Sequence, residues 1–164
     1  MVFTPAPIRR VVTGHDENGR AIVISDAAVP PHRRPDDKMV STHIWMNETT
    51  PADLGQREDL RDRLSGTVPP AGGCRVGVLD IAPDSARHSP HRTDTVDYII
   101  CLFGEVDLEL DDSRVTLRAG DFLVQRGTNH AWVNRGSVPA RLVFVLVDAG
   151  PKRDGSLGGR DLAR

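Results

Sequence analysis

The stretch HRTDTVDYIICLFGE, residues 91–105, decides the fold. Its first half places polar side chains at every second position: His91, Thr93, Thr95 and Asp97. Because side chains on an extended strand alternate between two faces, these four groups share one face. Apolar side chains continue that face: Ile99, Cys101 and Phe103. A face that is polar at one end and apolar at the other predicts a barrel with a site near its mouth.

The rest of the C-terminal half predicts further short strands. The candidate segments are CRVGVLDIA (74–82), the alternating EVDLELDDSRVTLRAGD (105–121), DFLVQR (121–126), HAWVNR (130–135) and ARLVFVLVDA (140–149). Turn residues separate these segments at the intervals typical of β-sandwiches and barrels. We therefore predict an all-β, antiparallel barrel core over residues 74–150.

The N-terminal part predicts a hairpin followed by an irregular segment. Residues 8–25 alternate around Asn18-Gly19, a strong hairpin signal because both residues tolerate positive φ. Residues 26–73 are partly irregular, and Thr50-Pro51 either begins a short helix or lies in a flap. We assign residues 1–73 to a hairpin and flap packed on the barrel, and 151–164 to a polar tail, all within one structural domain.

Composition narrows the range of partners. The net charge is −2 and the isoelectric point is near 6.3, so no basic field attracts nucleic acid or an anionic membrane. No apolar stretch approaches the ~20 residues of a membrane span. The N-terminus has no apolar signal region, and the two cysteines have no metal-binding spacing, so we expect a cytoplasmic protein with reduced thiols.

Three residues from two predicted strands carry the candidate chemistry. His91 and Asp97 lie in the stretch above, and His130 lies in a second polar group with Gln125, Asn129 and Asn134. Two imidazoles and one carboxylate are a common ligand set for non-haem iron. Without a metal, burial in an apolar barrel would raise the pKa of Asp97, which could then act with His130 as an acid–base pair.

Two segments, HRTDTVDYIICLFG and GDFLVQRGTNHAWVN, resemble the two sequence motifs of the cupins. The first motif reads His-x-His, a spacer, Glu, six residues and Gly. The second reads Gly, a spacer, Pro-x-Gly, two residues, His, three residues and Asn. This chain departs from the pattern at three positions: Thr93 replaces the second histidine, Asp97 replaces the glutamate and Gln125 replaces the proline.

The resemblance implies a small jelly-roll barrel that binds one divalent metal ion, with Fe, Zn, Mn or Ni as the candidates. It carries over three ligands: His91, Asp97 and His130. It also implies a homodimer in which the N-terminal hairpin exchanges between subunits. The function expected is that of a metal-dependent enzyme with oxygenase, dehydratase, cyclase or isomerase chemistry. Its substrate would be a small, partly hydrophobic, oxygen-bearing compound.

Other readings remain open. The barrel could be a metal-free enzyme that uses Asp97 and His130, or a small-molecule binder without activity. Four residues are candidate substrate contacts, each with a structural alternative: Thr93, Gln125, Trp132 and Arg75. His88 either adds a ligand or lies in solvent. The predicted cavity wall is apolar: Ile99, Cys101, Phe103, Phe122 and Trp132.

Overall fold

The computed structural model describes residues 3–33, 38–56, 58–60, 68–85 and 89–149. Eleven β-strands and no α-helix lie within these ranges. The strands form three antiparallel sheets of two, three and six strands. The predicted all-β class is therefore confirmed. The described part of the chain holds no helix of a length and apolarity that would let it cross a bilayer.

The N-terminal hairpin forms a sheet of its own. Strand β1 (Ile8–His15) pairs with β2 (Ala21–Val29). Gly19 takes a φ of 76° at the turn. The Asp16 carboxylate accepts hydrogen bonds from the backbone N–H groups of Asn18 and Arg20, both at 2.9 Å. The predicted hairpin is thus present, and its second strand extends beyond residue 25.

The two larger sheets form the barrel. The six-stranded sheet has the order β3 (His32–Arg33), β4 (Met39–Asn47), β5 (Cys74–Ile81), β11 (Ala140–Asp148), β6 (Thr95–Phe103) and β9 (Phe122–Arg126). The three-stranded sheet has the order β10 (Ala131–Val133), β7 (Glu105–Glu109) and β8 (Arg114–Arg118). Apolar side chains from both sheets, such as Leu108 and Leu142, pack together into one core.

Cross-strand pairing arranges the inner face of the large sheet in three levels. On the first level, Leu146 of β11 lies between Asp97 and Arg75. On the second level, Phe144 lies between Ile99 and Gly77. On the third level, Leu142 lies between Cys101 and Leu79. Successive levels are two residues apart along the strands, which corresponds to about 6.6 Å.

The predicted alternation of β6 holds only as far as Cys101. Thr95, Asp97, Ile99 and Cys101 are buried, whereas Phe103 is 54% exposed. The register with β11 shifts between Cys101 and Phe103, so a β-bulge reverses the facing of the last residue. Phe122 is 75% exposed and lies on the edge strand β9. Neither phenylalanine belongs to the cavity wall, and that part of the prediction is wrong.

The segment 26–73, in which STHIWMNE (41–48) is compatible with a short strand, contributes a full strand to the barrel. Strand β4 is a full member of the six-stranded sheet and pairs with β5 over its length. Residues 50–56 and 58–60 contain no α-helix, so a helix does not begin at Pro51. Residues 61–67 and the predicted polar tail 151–164 lie outside the described residues. Cys74 and Cys101 are both free thiols, as expected.

Candidate functional site

Two histidines lie side by side at the polar end of the barrel. The backbones of His91 and His130 form an isolated antiparallel bridge, with both N–H···O distances at 3.0 Å. Their ring centroids are 4.4 Å apart, and the ring planes are inclined by 51°. His91 is exposed and His130 is buried. The two predicted imidazoles are therefore brought together across the bridge.

Asp97 is buried and its two carboxylate oxygens already have donors. The Thr95 hydroxyl donates to Oδ1, and Gln125 Nε2 donates to Oδ2 at 3.0 Å. The hydroxyls of Thr93 and Thr95 are 2.7 Å apart and extend this network toward the mouth. Burial raises the pKa of Asp97, opposed by hydrogen bonds from Thr95 and Gln125 and by the charge of His91. The direction of this pKa shift is the one expected from the sequence.

His130 is held in one tautomer by the backbone. Its Nδ1 lies 3.0 Å from the carbonyl oxygen of Thr128, which can only accept. Nδ1 therefore carries the hydrogen, and Nε2 keeps its lone pair. Burial lowers the pKa of His130, and the charge of His91 lowers it further, against the opposing hydrogen bond to Thr128. The ring is thus biased toward the neutral form.

Gln125 lies between the two buried groups. Besides its bond to Asp97, its Nε2 is 3.4 Å from Nε2 of His130, the ring nitrogen that can accept, and 3.1 Å from Nδ1. The side chain is 3% exposed. Its Oε1 is buried without a hydrogen-bond partner in the described part of the chain. Gln125 therefore contacts the candidate acid and base together.

A cavity of about 340 Å³ opens beside these groups. Its polar lining lies toward the mouth: Ser89, His91, Thr93, Asp97 and His130. The remaining lining is apolar: Met39, Leu79, Ile99, Trp132, Leu142, Phe144 and Leu146. A mostly apolar cavity with a few polar groups at one end is the usual form of a small-molecule site.

The four predicted substrate contacts have different surroundings. Thr93 and Trp132 line the cavity. Gln125 and Arg75 are not among its lining residues. Arg75 shares the inner face of the large sheet, is 2% exposed and contacts the imidazole Nε2 of His43. Its predicted substrate role stays a prediction, and His88 lies outside the described residues.

Asn134, which occupies the last position of the second motif, has structural contacts. It is fully buried, and its Nδ2 donates to the carbonyl oxygens of Ile81 and Val138 at 3.2 and 2.8 Å. Its Oδ1 accepts from the backbone N–H of Gly136 at 2.9 Å. Asn134 therefore ties together the loop after β10 and the end of β5.

Several lining residues were not predicted. They are Met39, Leu79, Ser89, Leu142, Phe144 and Leu146. The alternation of ARLVFVLVD does contain the signal for the last three, which occupy every second position of β11. Which of the two faces of β11 is internal depends on its pairing with β6 and β5, and that pairing is non-local.

The predicted metal ligands, His91, Asp97 and His130, do not form a group around one point. Among the described residues, no three His, Cys, Asp or Glu side chains converge on a point that could hold a metal. As they lie, His91, Asp97 and His130 do not fit the three-ligand site that the sequence predicted.

The sequence of this chain is similar to those of known proteins. Residues 77–146 match the family model described as Cupin domain. "Phomopsin biosynthesis cluster protein C'" from Diaporthe leptostromiformis is 36% identical over 163 residues, which is 92% of this chain and 84% of that protein. The chain belongs to the cupin superfamily. The jelly-roll barrel predicted from the two motifs is thereby confirmed.

Other relatives of this cupin include proteins named as oxidoreductases. "Cupin-domain-containing oxidoreductase fogC" from Aspergillus ruber is 33% identical over 164 residues, covering 91% of this chain and 79% of that protein. An RmlC-like cupin from Shewanella frigidimarina has a similar crystal structure, with a TM-score of 0.51 and 11% identity over 74% of this chain and 86% of that one. The sequence relatives support an enzyme of the cupin type, and the structural neighbour supports the fold.

Proposed function

We propose that this cupin is an enzyme that transfers protons on a small, largely apolar, oxygen-bearing compound bound in the barrel cavity. One observation carries the proposal. Asp97 and His130 lie together, in contact through Gln125, at the polar end of a cavity whose other walls are apolar. Paired titratable groups with shifted pKa values in a cleft are a frequent mark of acid–base sites.

The two groups have complementary roles in this proposal. Burial shifts the pKa of Asp97 upward and that of His130 downward, and His130 Nε2 keeps its lone pair. Asp97 donates its proton to a carbonyl oxygen of the substrate, and His130 Nε2 removes a proton from the adjacent carbon. The result is an enol. Return of a proton to the same carbon completes an exchange, and protonation of a different carbon, with the enol proton returning to Asp97, gives isomerisation.

The neighbouring side chains position the pair. Thr95 and Gln125 fix the orientation of the Asp97 carboxyl through hydrogen bonds to its two oxygens. The Thr128 carbonyl fixes the tautomer of His130. The apolar walls exclude water, which strengthens electrostatic interactions with the bound substrate. Thr93 and Trp132, which line the cavity, are the proposed substrate contacts.

An exchange experiment tests this function without knowledge of the natural substrate. Phenylacetone is incubated with the protein in D₂O, and loss of its α-proton signal is followed by NMR. We expect exchange faster than in buffer and unchanged by EDTA, because Asp97 and His130 need no ion. Exchange at the buffer rate across a set of aryl and alkyl ketones would refute the proposal, and tight binding without exchange would favour a non-catalytic binder.

A second candidate is the metal-dependent enzyme, which the names of the "oxidoreductase" relatives favour. His91 and His130, both in the cavity lining, are its nearest pair of candidate ligands. The two candidates differ in the behaviour of His91→Ala. This variant keeps chelator-insensitive exchange in the proton-transfer proposal, since His91 transfers no proton there. A metal-dependent enzyme purifies with Fe, Zn, Mn or Ni that both His91→Ala and His130→Ala lose.

We also propose that the protein forms a homodimer and that the N-terminal hairpin, formed by β1 and β2, lies at the interface. Ile22, Val23 and Ile24 of β2 are exposed, as are Phe122 and Val124 on the edge strand β9. A second copy of the chain would cover these apolar side chains and the open edge.

The mass of the protein in solution tests the dimer. Light scattering is expected to give twice the chain mass of 17.9 kDa. Val23→Lys should lower that mass, whereas Val115→Lys, at an exposed site on β8, should not. A monomeric wild type would refute the dimer.

A further inference from the structure

We infer that the cavity binds an amphipathic molecule with an oxygen-bearing head and an apolar tail, and that the Gly77–Phe144 pair sets the length of that tail. This inference rests on the proposed function, because it places the reacting head at Asp97 and His130. It adds the substrate class and a specificity determinant. Neither residue of the pair contacts the candidate acid or base through a hydrogen bond in the described structure.

The three levels of the large sheet separate the head from the tail. The first level holds Asp97, with His91 and His130 beside it at the mouth. The lining of the second and third levels is apolar: Ile99, Phe144, Leu142 and Leu79. Two steps of about 6.6 Å give an apolar depth of about 13 Å below Asp97. A polar tail would lose its hydration there without gaining hydrogen bonds, so the depth favours a hydrocarbon chain.

The second level contains an unusual pair. Gly77 lies in the interior of β5, directly opposite Phe144 of β11. A Cβ built on Gly77 would lie 2.8 and 2.9 Å from Cε2 and Cε1 of the phenyl ring, and closer still to Cζ. The ring therefore occupies the space above the glycine backbone. Glycine weakens a strand interior, and close approach of another group is a usual reason for its presence.

The position of this ring controls the depth of the cavity. Phe144 lines the cavity, and its ring lies against the strand backbone only because residue 77 has no side chain. A methyl group at position 77 would displace the ring from β5 toward the open space of the cavity. The space below the first level would then shorten. Replacing Phe144 with a smaller side chain would have the opposite effect.

A chain-length series measures this depth directly. The probes are 4-n-alkylphenols from 4-ethylphenol to 4-nonylphenol, and calorimetry gives their dissociation constants. Each buried methylene should tighten binding about fourfold until the cavity is filled. Beyond that length the affinity should stop rising. An affinity that does not depend on chain length in the wild type would overturn the inference.

Three variants and one control locate the determinant. Gly77→Ala should move the break in the series to shorter chains, Phe144→Leu should move it to longer chains, and the double variant should return it toward the wild-type length. Gly14→Ala makes the same change in β1 and should leave the series unchanged. If Gly77→Ala does not fold, Phe144→Leu alone decides. An unmoved break in the folded variants overturns the role of the pair.

Alkylphenol binding and phenylacetone proton exchange are separate measurements, so the tail site and the proton transfer can each be refuted alone. An intact chain-length series without exchange of phenylacetone protons would refute the proposed proton transfer and leave the head-and-tail site standing. Exchange with a flat series would support proton transfer and refute the tail site. Asp97→Asn should retain the chain-length dependence, because the apolar levels lie below that residue.

Discussion

Replacement of Asp97 with asparagine is expected to lower the rate of phenylacetone exchange by about 10²- to 10⁴-fold. Asparagine has nearly the same shape as aspartic acid but cannot carry the transferred proton. Its amide can still accept from Thr95 or Gln125 on the remaining oxygen. We therefore expect the fold to persist while proton transfer is lost. NMR exchange rates for the wild type and the variant, at equal protein concentration, give the measurement.

The matched control for this variant is Asp112→Asn. Asp112 is exposed in the turn between β7 and β8, away from the cavity, so the same chemical change should leave the exchange rate unaltered. Circular dichroism and the unfolding midpoint establish that both variants are folded. If folded Asp97→Asn exchanged protons at the wild-type rate, Asp97 would not be the acid.

Arg141→Ala is expected to destabilise the fold by about 3–5 kcal/mol, because it leaves a buried carboxylate without its partner. Asp80 is buried, and its two oxygens accept from Arg141 Nε at 2.6 Å and from Nη2 at 3.2 Å. Arg141 also donates to the carbonyl oxygen of Ala6 at 2.8 Å, so the variant loses this tie to the N-terminal segment. Urea unfolding at pH 7 measures the effect.

The stability that Arg141→Ala loses should depend on pH in a defined direction. Burial raises the pKa of Asp80 above its ordinary value of 3.8, while Arg141 opposes that shift. The folded state therefore binds this proton more tightly than the unfolded state, and stability falls as pH rises from about 4 toward the raised pKa. Without Arg141, nothing from that side chain opposes the effect of burial, so the pKa of Asp80 rises further. The variant should thus be closer to wild type at pH 4 than at pH 7.

Arg9→Ala provides the comparison for this ion pair. Arg9 and Asp26 make a pair with a similar distance of 2.6 Å, but both side chains are exposed on the hairpin. Solvent screens such pairs, so the unfolding midpoint should not change measurably. Equal losses in Arg9→Ala and Arg141→Ala would show that burial of Asp80 is not the source of the effect.

Much of the fold follows from local patterns. The alternation in residues 105–121 predicted the β7–β8 hairpin, and Asn18-Gly19 predicted the turn between β1 and β2. The alternation of VDYIIC placed Asp97 and Ile99 on one buried face. These features depend on a two-residue period and on turn preferences, which neighbouring residues determine.

Other features depend on contacts between distant residues. Phe103 follows the same alternation as Cys101, but the bulge opposite β11 turns it outward. Arg75 could have been a surface residue or a substrate contact, and its burial beside His43 depends on the packing of β4 on β5. A local pattern contains no information on a bulge or a neighbouring strand, because both are properties of the pairing.

By itself, the sequence determined the all-β class, the two cupin motifs, and the presence of His91, Asp97 and His130 at their positions in those motifs. The tertiary structure decided what these residues do together. It leaves His91, Asp97 and His130 without a shared point that could hold a metal, places Gln125 between Asp97 and His130, and sets Phe144 over Gly77. The reason is physical: alternation along a strand is local, whereas convergence of side chains, burial of a carboxylate and the depth of a cavity arise only when separate strands meet.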